Sequence, residues 1–487
     1  MNTSKPLTYQ DDPTVQKRRW MILISINMFT FMSTLDASIV NVALPQISRD
    51  LHLPIASSQW IVTIYLMTIC VFILLFGRLG DMLGKLRIFK IGTALFVLGS
   101  LLCGFGLNLN FLLVGRVVQA IGASMTMANN FGIATDIFPR SERGRALGLI
   151  GTFVSLGSIT GPGIGGLVVS TLSWNYIFWI NVSIGLVVMI LGWRVLPKDL
   201  FASRGRLDWA GTSVFGLFII ALFSGLLLGQ HLGFNDGRIL GSLFLSAVLL
   251  IVFIIMEWHI DQPMLQLRLF KNLMFSVSIF CGYLVFLSNF CFNIIAPFYT
   301  QDILHLSAGH SGLLLMLFPI MMAVIAPFSG ALSDKIGSEI LTFIGLLVLV
   351  AAQIGLGFLN GESSIIYAGV LIALLGAGSG FFMSPNNSLV MSTVPKNQLG
   401  SAGSVNALIR NLGMISGITF ATTLLFASMS QAAGYQVTGM IPGHPAIFLH
   451  GMHIVFLASA GICAFCAVIT GIRLLNARHQ MHSKAVS

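Results

Sequence analysis

The chain has 487 residues, of which only 9% are charged and 56% hydrophobic, and its formal net charge is +10. A soluble protein of this composition would lack the polar surface to cover itself, so the class is a polytopic membrane protein. The basic balance does not indicate a nucleic-acid partner, because Lys and Arg fall almost entirely in alternate connecting segments, the asymmetry that marks the cytoplasmic side of a membrane protein.

Apolar runs of about 20 residues, enough to cross a hydrocarbon core of about 30 Å, predict fourteen spans. In chain order they are expected at Trp20 to Leu44, Ser58 to Leu79, Ile88 to Leu107, Phe111 to Phe138, Ala146 to Leu172, Tyr176 to Leu196, Trp209 to Gln230, Leu240 to Trp258, Met274 to Tyr299, Ser307 to Leu332, Ile340 to Leu359, Ile365 to Val394, Ser401 to Ala427 and Gly451 to Leu474. The first span follows Lys17, Arg18 and Arg19 and is too long for a signal peptide, so it reads as uncleaved. With both ends cytoplasmic, the inner segments collect Arg78, Lys85, Arg87, Lys90, Arg143 and Arg145 among others, whereas the outer ones hold only Arg49 and Arg238.

An internal repeat organises these spans. Gly77-x-Leu79-x-Asp81-x-x-Gly84 after span two recurs as Gly330-x-Leu332-x-Asp334-x-x-Gly337 after span ten. The expected division is a cytoplasmic segment (1–19), a six-helix bundle (20–196), a linker with two inserted spans (197–272), a second six-helix bundle (273–474) and a cytoplasmic tail (475–487). Parallel repeats of this kind place a substrate site between the halves near the midplane and alternate access by rocking. Spans seven and eight carry few polar groups and read as filler or lipid-facing packing.

Asp36 lies inside span one, where an ionisable group costs roughly 3 kcal/mol and by default marks a proton or ion pathway. Helical rise puts it and Arg116 of span four both about 10 Å beneath the outer surface, close enough to pair. Arg116, Gln119, Ala123 and Asn130 share one face of span four. Desolvation favours the neutral acid of Asp36 and Arg116 favours its anion, so a proton and a cationic substrate can compete for it. Phe29, Met32, Val40 and Ala43 lie on the same face of span one and offer apolar contact to a lipophilic substrate, or ordinary helix packing.

In span five, Gly157, Gly161 and Gly165 recur every four residues, a small-residue face that admits a neighbouring helix, and Pro162 withdraws an amide from the ladder. The segment Gly77 to Lys85 reads as a short loop in which Asp81 can meet the positive amino end of a helix from the other half. In the second half, Arg410 of span thirteen has no deep carboxylate nearby, and Asn386 and Asn387 at similar depth are its expected partners; an anionic substrate group is the alternative. The six cysteines all fall in spans and imply neither a disulfide framework nor a metal site. The Gly- and Pro-containing segment Ser428 to His450 reads as the longest outer one, a hairpin, a lid or a contact for an accessory protein.

Four motifs together resemble the major facilitator superfamily, in particular its fourteen-span drug:proton antiporters, over nearly the whole chain. They are Leu35-Asp36-x-Ser38-Ile39-Val40-Asn41-Val42-Ala43-Leu44-Pro45, Gly77 to Lys85, Arg116-x-x-Gln119-x-x-Gly122, and Gly157-x-x-x-Gly161-Pro162-x-x-Gly165-Gly166. Ser38, Ala120 and Ser183 depart mildly from the family pattern. The resemblance implies an all-α integral membrane protein with two six-helix bundles and two inserted central helices. It implies proton-coupled export of lipophilic, often cationic, compounds across a bacterial plasma membrane by a monomer, with the proton as coupling ion and no other cofactor.

Depth, helical face and charge together make Asp36, Arg116 and Gln119 the expected proton-coupling residues, and Phe29, Met32, Val40, Asn130, Asn386, Asn387 and Arg410 the cavity candidates. The resemblance also implies a conformational latch of Gly77, Asp81, Gly84, Lys85 and Asp334 against the helix beginning near Gly400, and an antiport motif of Gly157, Gly161, Pro162, Gly165 and Gly166. The other readings are an exporter or flippase of one metabolite, antibiotic, acidic compound or lipid, and a non-transporting membrane sensor. No H-E-x-x-H, G-x-S-x-G or phosphate-loop pattern suggests an enzyme.

Overall fold

The computed structural model describes residues 8–139, 142–200, 207–260, 263–394, 399–441 and 443–486; the side chain of Asp334 lies outside the described set. Among these residues are fourteen helices long and apolar enough to cross a membrane. Spans one to seven are Pro13–Asp50, Ile55–Leu83, Lys85–Phe105, Leu109–Ile137, Arg145–Thr171, Tyr176–Val195 and Trp209–Gln230. Spans eight to fourteen are Gly237–His259, Leu273–Ile303, Ala308–Ser333, Ser338–Leu356, Ile365–Ser392, Val405–Ala433 and Pro445–Leu475. An even number of crossings returns the chain to the face where it began, here the terminal face; the other is the distal face.

Three boundaries move from their expected places. Span one continues through Pro45 to Asp50, because a helix can carry a proline where one missing amide is the only loss. Asp36 is therefore about 21 Å of helical rise from the distal end of that helix, not about 10 Å. The expected loop Gly77 to Lys85 is helical up to Leu83, and Gly84 alone, at φ 105°, turns the chain into span three. Gly337, at φ 94°, does the same between spans ten and eleven, so the sequence repeat is also a backbone repeat. This region of φ excludes most side chains, which is why both positions are glycine. Lastly, spans thirteen and fourteen shorten the Ser428 to His450 segment to residues 434–444.

Spans one to six pack against one another, as do spans nine to fourteen, while seven and eight pair and lean on spans two and thirteen. Hydrogen bonds join the two bundles at the distal face. Arg49 pairs with Asp302 at 2.7 Å and reaches Gln301 at 3.3 Å; Gln301 donates to the carbonyl of Val42 at 3.1 Å, and the Ala56 amide to that of Thr438 at 3.2 Å. Spans five and ten cross backbone to backbone there, Gly166 against Ala308 and Gly312, and Gly312 against the Pro162 carbonyl.

The inserted pair is more than filler. Gln230, at the distal end of span seven, accepts from Gln59 of span two at 2.7 Å and donates to Thr422 and Thr423 of span thirteen at 3.0 and 2.9 Å. Gln436 donates to its carbonyl at 3.2 Å. One side chain thus bridges both bundles, a role that a count of polar residues along spans seven and eight could not reveal.

Candidate functional site

Asp36 is wholly buried at the centre of the first bundle, and so are Arg116 and Gln119. Arg116 Nη1 donates to Asp36 Oδ2 at 2.7 Å, and Gln119 Nε2 to Asp36 Oδ1 at 3.0 Å. The i, i+3 spacing on span four sets both donors on one face, and Arg116 Nη1 also reaches Gln119 Oε1 at 2.6 Å. Arg116 Nε donates to the Ile61 carbonyl at 3.0 Å, and its guanidinium lies 4.1 Å from the centroid of the Tyr65 ring.

Three members of this site were missed from the sequence. Asn181 of span six donates to Asp36 Oδ1 at 2.6 Å, Ser100 of span three accepts from Gln119 Nε2 at 2.8 Å, and Tyr65 of span two faces the guanidinium. Asn181 had a legible signal: an amide buried in a run as apolar as Tyr176–Val195 needs a partner for the same reason as a carboxylate does. The carboxylate is thus held by three donors from two helices. Taking a charged pair out of water is costly, and its mutual attraction repays that cost only when the remaining lone pairs are met in this way.

The glycine face of span five packs on span one beside this carboxylate. Gly157 meets the Phe31 carbonyl and Thr34, Gly161 meets Ser38, and Gly165 meets Ile39, so a side chain at any of them would push the two helices apart. The Ser38 hydroxyl also donates to the Gly157 carbonyl at 3.2 Å. Pro162 and Gly166 face span ten instead. Asn130 donates to Thr30 of span one at 2.9 Å, one more tie between spans one and four.

The apolar candidates sit inside the first bundle. Phe29 stands edge-on between Phe89 and Phe96 of span three, with ring centroids 5.8 and 5.3 Å away, and Met32 packs at Gly185 of span six. Neither they nor Val40 has any exposed surface in this conformation.

Lys85 pairs with Asp136 at 2.9 Å and with Asp81 at 3.5 Å, tying the ends of spans two, three and four together at the terminal face. Asp199, in the segment after span six, accepts from the amides of Leu86 and Arg87 at 3.0 and 2.9 Å and so caps span three. Gly77 lies against Ala128. Residues 395–398, just ahead of the helix expected to meet Asp81, and the side chain of Asp334 lie outside the described set.

Arg410 departs from expectation. Asn386 donates to the Ser278 carbonyl at 3.1 Å, and Asn387 accepts from Asn406 at 3.1 Å, so neither amide bonds to the arginine. Equal depth on two helices does not fix how far each is rotated about its axis, and rotation decides who meets whom. Arg410 Nε is buried with no hydrogen-bond partner.

A membrane bundle with a carboxylate–guanidinium pair buried at its centre, and a second bundle bonded to it at the distal face, is the architecture of a transporter. The family model described as Major Facilitator Superfamily matches residues 26–418, and the chain belongs to that family. It is 32% identical to the riboflavin transporter RibZ of Clostridioides difficile, with 93% of this chain and 97% of that protein aligned. It is 27% identical to multidrug resistance protein 3 of Bacillus subtilis, covering 88% of this chain and 86% of that protein. Among solved structures it resembles a bacterial homologue of the human lysosomal transporter Spinster, in an inward-facing and unoccupied conformation. The TM-score is 0.62 at 14% identity, over 94% of this chain and 96% of the other.

Proposed function

We propose that this transporter is a proton-coupled antiporter that exports lipophilic, often cationic, compounds across the plasma membrane by alternating access, with both termini in the cytoplasm. The observation that carries this reading is the enclosed Asp36, whose two oxygens accept three hydrogen bonds from Arg116, Gln119 and Asn181. A proton arriving at that carboxylate removes the counter-charge of Arg116 and at least one acceptor. The helices that supply the donors must then readjust, which couples protonation to bundle geometry. Multidrug relatives support export, and the concentration of Lys and Arg at the terminal face supports the orientation.

The driving force is adequate, since each pH unit supplies about 1.4 kcal/mol and 100 mV about 2.3 kcal/mol per charge moved. With one deep carboxylate in the first bundle, exchange of one proton for one monovalent cation uses only the pH term. The proposed latch sits at the terminal face, where Asp81 and Asp334 would meet helix ends of the opposite half. A narrower reading, export of one metabolite, is favoured by the 32% identity to a riboflavin transporter.

The deciding experiment is proton movement in proteoliposomes on adding ethidium, wild type against Asp36→Asn. Substrate-evoked proton release lost in the variant supports the shared carboxylate. No response in the wild type favours the narrow-substrate reading, and an unchanged response in Asp36→Asn removes this residue from coupling.

A further inference from the structure

Asp36 of the first bundle and Arg410 of the second differ in one respect. Asp36 is saturated and has no exposed surface, so in this conformation it offers nothing to a ligand. Arg410, about 8 Å of helical rise inside the terminal end of span thirteen, is the reverse. It has neither a hydrogen bond nor an ion pair to any described residue; the side chain is part-exposed, but its Nε is buried. Among the acids of the second bundle whose side chains are described, Asp302 pairs with Arg49 at 2.7 Å, Glu339 with Arg473 at 3.7 Å, and Glu362 is exposed. A guanidinium carries five donors and cannot shed its charge, so a buried Nε–H left without an acceptor is costly, and the part-exposed remainder of the fork is free to take one.

Beside it are two amides. Asn406 lies one turn nearer the terminal face on the same helix and bonds across to Asn387 of span twelve, which is exposed. Each amide keeps unused hydrogen-bonding capacity after that single bond. The combination of a forked cation and two amides on adjacent helices matches an anionic oxygen group, which a guanidinium binds through two parallel hydrogen bonds.

We infer that Arg410, Asn406 and Asn387 form a subsite for the carboxylate or phosphate-like group of an amphipathic substrate. The inference rests on the export reading and narrows it, from lipophilic cations to lipophilic compounds bearing an anionic oxygen group, zwitterions included. The counter-charge that Arg410 lacks is then brought by the cargo.

The test uses the full chain in phosphatidylcholine nanodiscs and the anionic dye fluorescein, read by fluorescence polarisation. Wild type should bind it, Arg410→Gln should weaken binding at least tenfold, and Arg410→Lys should keep most of it. Asn387→Leu, at an exposed position that tolerates an apolar side chain, should weaken it several-fold and serves if the arginine variants do not fold. Equal affinity in wild type, Arg410→Gln and Asn387→Leu overturns the proposal. So does displacement of fluorescein from the wild type when phosphatidylglycerol is added to the discs, since the occupant is then a lipid headgroup. Binding needs no proton movement, so it can fail while ethidium-evoked proton release persists, and the reverse.

Discussion

The Asp36–Arg116 pair makes a quantitative prediction about stability. Replacing Arg116 by Gln leaves a buried carboxylate with only Gln119 and Asn181 to stabilise it, and breaking a buried pair from one side costs about 3–5 kcal/mol. Asp36→Asn should cost less. The stranded guanidinium keeps the Ile61 carbonyl, Gln119 Oε1 and the Tyr65 face at 4.1 Å, and a desolvated cation over a ring is worth about 2 kcal/mol. The double variant Asp36→Asn/Arg116→Gln places two neutral amides in the site and should lie within about 1 kcal/mol of wild type, because replacing both partners of a buried pair is often nearly neutral. The coupling energy is then about 3 kcal/mol or more, well above the roughly 0.5 kcal/mol within which independent sites add. The six cysteines supply the assay, since all are free and buried and a thiol-reactive dye lights up only as the bundle opens. Additive losses in the two single variants would refute the claim that these charges depend on each other.

Other outcomes follow from the same geometry. Asn181→Val removes the shortest bond to Asp36 and should abolish or blunt substrate-evoked proton release in proteoliposomes, at a cost of about 2 kcal/mol in the thiol-dye melting assay, less than that of Arg116→Gln. Gly161→Leu drives a side chain into Ser38 and should prevent spans one and five from packing, seen as loss of monodisperse protein on size exclusion; Gly148→Leu, where a side chain meets open space, should not. Gly84→Ala forces a side chain into φ 105° and onto the Asp199 carboxyl that caps span three, and should cost about 3 kcal/mol in the same melting assay. Burial pushes the Tyr9 phenol up to about 12, while its hydroxyl accepts from the Leu200 amide at 3.0 Å. The folded state therefore favours the neutral phenol. The stability this adds is complete below the ordinary tyrosine value of about 10 and is lost as pH rises towards 12, a dependence that Tyr9→Phe should remove.

Much of this molecule could be read from residue order because a bilayer imposes a coarse code: a length of apolar chain means a crossing, and a charge inside it needs a reason. That logic found the fourteen crossings and brought Asp36, Arg116 and Gln119 together. It failed where the answer depends on rotation about a helix axis. Asn386 and Arg410 share a depth but not a direction. It also failed where a single residue does the work of a loop, as Gly84 does between two helices. Asn181 and Gln230 were overlooked for another reason: a lone amide in an apolar run carries no charge to draw notice, although the cost of leaving it unpaired follows the same rule.

The bridge through Gln230 bears on how a shorter transporter could be built. Excising the inserted pair and joining the bundles directly is the obvious route to a twelve-helix version. It would strip the partner from Gln59, which has no exposed surface, and from Thr422 and Thr423, and turn a buried seam of matched amides and hydroxyls into unsatisfied groups facing lipid. A workable miniature would need apolar residues at all three positions, and its distal face would then be held by the Arg49–Asp302 pair and the Gln301–Val42 bond without the amide bridge.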